Sequence, residues 1–162
     1  MSRKSILIAL IAGLIGFVAG NAFWYLFSPL WIDREVSESL PAELQLTALK
    51  SGTFVDADSA HKGSGKAEIL QGGAGTTLLR LTDFRVTNGP DLEVWLVKAP
   101  EPKSSSDVAA SEWLSLGALK GNVGDQTYVI PEGTDVSEYG SVVIWCEQFG
   151  VLFSPATLQP GA

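Results

Sequence analysis

Between Lys4 and Asp33 the chain carries no charged residue, and Ile6 to Phe27 is a run of 22 residues with Asn21 as its one strongly polar member. As a helix rising 1.5 Å per residue this run spans roughly 33 Å, the thickness of a bilayer's hydrocarbon core. A cleaved secretory leader has a shorter apolar region, about 7–15 residues, ending at a small-residue site. The nearest such site here, Ala19-Gly20-Asn21-Ala22, is followed by further apolar sequence. The run therefore predicts an uncleaved signal-anchor: a transmembrane helix over residues 6–27, preceded by a short tip at residues 1–5. Trp24, Tyr25 and Trp31 gather at its far end, where amphipathic rings settle at the lipid–water boundary. Arg3 and Lys4 precede it and should stay cytoplasmic. The expectation is a single-pass membrane protein whose C-terminal domain is periplasmic or extracellular.

Charge narrows the partners. The chain has 11 basic and 18 acidic residues; setting aside Arg3 and Lys4 leaves 9 against 18, a balance of -9. Nucleic acid and anionic lipid both reward clustered Lys and Arg, which this sequence lacks, so a nucleic-acid partner is not expected. The bilayer, reached through the N-terminal helix, is.

After the anchor, residues 28–49 read as a stalk: Asp33, Glu35, Glu38 and Glu43 with Pro41 and weak apolar spacing, and either a short helical turn after Pro41 or a strand begun by Leu44 and Leu46. From residue 50 the signals are β. Gly52–Val55, Lys66–Leu70, Thr76–Val86, Leu92–Val97, Trp113–Leu116, Gln126–Ile130, Ser141–Cys146 and Val151–Leu158 are short runs rich in β-branched, aromatic or alternating apolar residues. Gly- and Pro-containing turns separate them, Asn88-Gly89-Pro90-Asp91 being the strongest. Pro100 to Ala110 reads as a Ser-rich surface loop, and Pro131 to Tyr139 as a polar segment with room for one helical turn. Short strands at this spacing predict an all-β fold, an antiparallel β-sandwich or barrel-like domain over residues 50–158, with a tail at residues 159–162.

Cys146 is the only cysteine. Exported domains meet oxidising conditions, and a lone thiol cannot pair within its own chain. Two readings stay open: a small hydrophobe in the core, or a reactive or ligating group. Glu147 beside it works against a stabilised thiolate. His61 is the only histidine, with Asp56 and Asp58 nearby in sequence. Blue copper needs two His, a Cys and usually an axial Met; one His and Met1 cannot supply them. Haem c needs Cys-x-x-Cys-His, which is absent. Haem b or a metal held by Cys146 or His61 stays open, and the cofactor is unknown. Gly117 to Asp125 lacks the Gly-Lys-Ser/Thr of a phosphate cradle. No spacing supports a Cys-His hydrolase or a glycan-binding face, and an accessory or binding role is expected rather than an enzyme.

Four stretches, in order, carry a family resemblance: Ser51-Gly-Thr-Phe-Val-Asp-Ala-Asp-Ser-Ala-His61-Lys-Gly-Ser-Gly65, Leu81-Thr-Asp-Phe-Arg-Val-Thr-Asn-Gly-Pro-Asp-Leu92, Leu116-Gly-Ala-Leu-Lys-Gly-Asn-Val-Gly-Asp-Gln126 and Ser141-Val-Val-Ile-Trp-Cys146. Together they resemble the DM13 domain of bacterial exported and animal extracellular proteins. The resemblance implies a β-sandwich-like domain and an electron-transfer role with Cys146 as redox candidate. His61, Asp91, Asp125 and Trp145 are then the expected companions, and membrane redox proteins the expected partners. Glu93 stands where the resemblance leads us to expect histidine in many members, which weakens any scheme needing a second imidazole there. The alternative function is a non-catalytic interaction module with Cys146 as core.

Overall fold

Ser2 opens the first helix: its Oγ accepts the Ser5 N–H at 3.2 Å, and the helix α1 runs Arg3–Phe27. The computed structural model describes residues 2–28, 32–40 and 45–161, without the side chains of Leu26 and Ala74. The expectations for Trp31, Pro41, Glu43 and Leu44 lie outside the described residues. The Asn21 amide donates to the Phe17 carbonyl at 2.7 Å, so the one strongly polar side chain of the run from Ile6 to Phe27 has a main-chain partner within the helix. Its apolar side chains are exposed along the whole length, and α1 is long and apolar enough to cross a membrane. The chain divides into two units, Met1–Ile32 and Asp33–Ala162.

The second unit is a sandwich of two sheets. Its strands are β1 (Glu35–Ser37), β2 (Thr47–Thr53), β3 (Gly63–Gln71), β4 (Thr77–Val86), β5 (Leu92–Val97), β6 (Trp113–Ala118), β7 (Val123–Ile130), β8 (Ser141–Cys146), β9 (Val151–Thr157) and β10 (Gln159–Pro160). One sheet has six strands in the order β1-β7-β4-β3-β2-β10; the other has four, β6-β5-β8-β9. All pairings are antiparallel except β1 with β7. The mostly antiparallel sandwich matches the expected fold class. Its sheets join along one side, where β9 leads into β10 on the opposite sheet and Phe54 bridges Ala156. A Cβ on Gly52 would lie 2.4 Å from the Thr157 carbonyl oxygen, so this crossing requires glycine.

Period-two alternation decides what each strand buries. On β5, Leu92, Val94 and Leu96 enter the core between the sheets, while Trp95 and Val97 face outward. On β8, Val142, Ile144 and Cys146 point in; Val143 and Trp145 point out. The outward set is buried all the same, in a second small cluster with Leu152 and Val108. Val108 comes from a short helix, α2 (Ser105–Ala109), inside the segment expected to be a surface loop. The Ser104 Oγ caps α2 at the Asp107 N–H, and the Leu152 N–H donates to the Ser105 Oγ at 3.0 Å. One large apolar residue among serines and alanines carries no periodicity, so α2 was not legible locally.

The stretch expected as a stalk is partly drawn into the sandwich. β1 pairs with β7, the Arg34 N–H donates to the Asn122 side chain at 2.7 Å, and Glu38 accepts from Lys120 Nζ and the Thr127 N–H. The partners lie 82 to 89 residues away, which is why the local pattern looked like linker. β10 likewise lies in the expected tail.

Candidate functional site

Cys146 closes β8, and its side chain is 1% exposed. The Sγ donates to the Pro90 carbonyl at 3.1 Å, which satisfies the thiol with main chain alone. Pro90 belongs to the turn Asn88–Asp91, where Asp91 adopts φ 51 and its carbonyl accepts the Glu147 N–H at 3.0 Å. Asp91 therefore neighbours the cysteine through its backbone. Beyond Cys146 the chain reverses, with Gly150 at φ 61 and its N–H returned to the Cys146 carbonyl at 2.9 Å.

Phe153 builds the wall of this corner. The β8–β9 register slips between Ile144 and Trp145, which face Ser154 and Leu152. Phe153 is the extra residue of the resulting bulge, so Phe153 and Ser154 both reach the inner side despite being adjacent. The Phe153 ring lies so close to the Asn88–Asp91 turn that a Cβ on Gly89 would come within 2.6 Å of two ring carbons. The His61 ring also packs against Phe153, with centroids 4.3 Å apart.

His61 is held by its own loop. Asp58 Oδ1 accepts the Ala60 and His61 N–H groups at 2.7 and 2.8 Å, and Oδ2 lies 2.7 Å from His61 Nδ1. A carboxylate only accepts, so Nδ1 carries the proton. The imidazole hydrogen bond, then the two amides, hold the Asp58 carboxyl down at about 2, against an ordinary 3.8. A depressed folded value contributes stability that is complete above pH 3.8 and drains as pH falls through about 2. In His61→Ala the NMR-detected titration midpoint of Asp58 should move up towards 3.8 while the loop amides keep part of the shift. An unmoved midpoint would mean the ring contributes nothing.

The expected companions occupy three layers. Cys146 and Phe153 are between the sheets, with His61 packed on Phe153. Trp145 is on the outer face of the four-stranded sheet, one residue and half a period away. Asp125 belongs to the outer face of the six-stranded sheet: its Oδ2 pairs with Arg80 Nη2 at 2.7 Å, and its Oδ1 accepts the Asp83 N–H at 2.9 Å. There it holds the bulged Asp83, whose φ is 50. Phe153 is the residue that sequence reasoning missed; the signal was an apolar run whose bulge only the pairing register reveals. Among the described residues no group of three His, Cys, Asp or Glu side chains is placed to hold a metal ion.

A family model described as "Electron transfer DM13" matches residues 53–158. The chain belongs to the DM13 family. No curated protein and no solved structure matches it. The matched span takes in the His61 loop, the Asn88–Asp91 turn and the β8–β9 corner, so every element of the cysteine site lies inside the DM13 domain.

Proposed function

We propose that this protein is a membrane-tethered DM13 electron-transfer module, anchored by α1, with its domain outside the cytoplasm and Cys146 as its redox group. It acts as an accessory to membrane redox proteins, not as an enzyme. The family description supports an electron-transfer role, and the composition of α1 with Arg3 and Lys4 before it supports the tether and its orientation. The observation that carries the reading is the environment of the thiol. It sits at the end of a strand, bonded to the Pro90 carbonyl of a four-residue turn, and that turn packs against the Phe153 ring that His61 contacts. In this reading, displacement of that turn is what exposes the sulfur. Asp91 sets the turn, and Asp125 and Trp145 support the two sheets from outside.

The burial of Cys146 favours a second reading, an interaction module in which the cysteine is core packing. Oxidation of the full-length protein in detergent separates the two, with Cys146→Ser as control. Under the redox reading, dilute hydrogen peroxide converts the thiolate to a sulfenic acid in the folded protein; one maleimide-reactive thiol is lost and a dithiol restores it. Labelling and oxidation that both wait for global unfolding would leave the interaction module.

A further inference from the structure

The outer face of the four-stranded sheet holds three tryptophans in ring contact. Trp95 on β5 has Trp113 of β6 on one side, centroids 3.9 Å apart and planes within 11°. On its other side is Trp145 of β8, at 5.2 Å and 30°. The register explains the meeting: Trp113 faces Val97 and Trp145 faces Glu93, each one diagonal step from Trp95, within reach of large rings. Trp95 and Trp145 are 3% and 5% exposed, whereas Trp113 is 47% exposed on an edge strand. The stack therefore runs from solvent to the residue preceding Cys146.

A buried indole needs an acceptor for its N–H, and any carbonyl would serve. Here the acceptor is a carboxylate: Trp95 Nε1 donates to Glu93 Oε2 at 2.7 Å, and the Ser115 hydroxyl donates to the same oxygen at 2.7 Å. A partly buried carboxylate costs desolvation that a neutral acceptor would avoid, and packing alone does not call for one. It has one property a carbonyl lacks: it can take the proton.

We propose that Trp113, Trp95 and Trp145 form a one-electron relay with Glu93 as the proton acceptor of Trp95. Trp113 loses one electron to an outer-sphere acceptor at the surface, which is reduced by that electron. The Trp113 radical cation is refilled from Trp95. As Trp95 is oxidised, the Nε1–H bond breaks and its proton moves to Glu93 Oε2, leaving a neutral tryptophanyl radical beside a carboxylic acid. Returning the electron returns the proton. Trp145 extends the path to β8. The relay rests on the electron-transfer reading of the domain and requires no chemistry at Cys146.

The test uses full-length protein in detergent carrying Cys146→Ser, Trp24→Phe and Trp31→Phe, so that the thiol and the two N-terminal indoles cannot contribute. Photogenerated ruthenium(III) tris-bipyridine serves as the oxidant, and transient absorption distinguishes neutral indole radical from radical cation. The neutral radical is expected. Added Glu93→Gln, which keeps an acceptor for the Trp95 N–H, should yield radical cation in its place and slow neutral-radical formation at least about tenfold. Added Trp113→Phe, a substitution at a half-exposed position, should abolish the fast oxidation phase. A cooperative urea transition followed by far-ultraviolet circular dichroism reports that each variant is folded. Neutral radical at an unchanged rate in Glu93→Gln, an unaltered fast phase in Trp113→Phe, or no indole radical at all would overturn the relay. Because Cys146 is absent throughout, none of these outcomes bears on the thiol chemistry.

Discussion

Phe153→Ala is expected to destabilise the domain by about 3–5 kcal/mol, the range for emptying a buried aromatic site. The Phe153 ring is buried, lies against the backbone of Gly89 and contacts the His61 ring. The cavity cannot close easily. One wall is the Asn88–Asp91 turn, held by the Cys146 thiol and the Glu147 amide, and another is a bulged strand fixed by pairing on β8. Urea unfolding of the full-length protein, followed by tryptophan fluorescence, measures the loss. Phe149→Ala is the matched control, since Phe149 is exposed in the neighbouring turn and its removal should change stability by no more than about 0.5 kcal/mol. A loss below about 1 kcal/mol in Phe153→Ala would show that the ring is not packed as described. The same variant should speed maleimide labelling of Cys146 under native conditions, because the ring packs against the turn whose Pro90 carbonyl binds the thiol.

Asp125→Ala should cost about 2–3 kcal/mol. The Arg80 guanidinium is buried under the outer face of the six-stranded sheet, and Asp125 is its ion-pair partner. Truncating one member of a buried pair leaves the other charge uncompensated, which typically costs about 3–5 kcal/mol. The lower figure applies because the Asp125 side chain is 33% exposed, so solvent already screens the pair. Thr127 Oγ1 also keeps its bond from Arg80. Asp125→Ala further removes the acceptor for the Asp83 amide, at a residue in the left-handed region that a carboxylate partner helps hold. Asp125→Asn should recover part of the loss by restoring that acceptor without the charge. Equal unfolding midpoints for wild type and Asp125→Ala would exclude the pair as a structural element. A change in redox behaviour with no change in stability would instead place Asp125 with the cysteine.

These two positions show where local reasoning stops. Asp125 and Cys146 both lie in β-rich segments, and nothing in their spacing says that one faces outward from the first sheet and the other inward from the second. Period two does separate Trp145 from Cys146, and that much could be read from adjacency alone. It fails at Phe153 and Ser154, adjacent residues that both face inward, since a bulge is defined by the partner strand's register. The same holds for Glu35–Ser37, too short and polar to announce a strand, and for Val108, the one large apolar residue in a serine-rich segment.

The long apolar helix, the β-rich domain with its principal strands and turns, and the order of the DM13 segments are all legible in the residues themselves. These follow from uninterrupted apolarity, from two-residue alternation and from glycine, proline and asparagine at bends, all of which act over a few neighbours. What surrounds the cysteine and the indoles comes from distant segments. The Pro90 carbonyl beside the thiol is 56 residues away in sequence, and Asp125 beside Arg80 is 45 away. The Trp95 stack depends on the registers of β6 and β8 against β5. Such partners are selected by strand pairing and sheet packing, which depend on the whole chain at once.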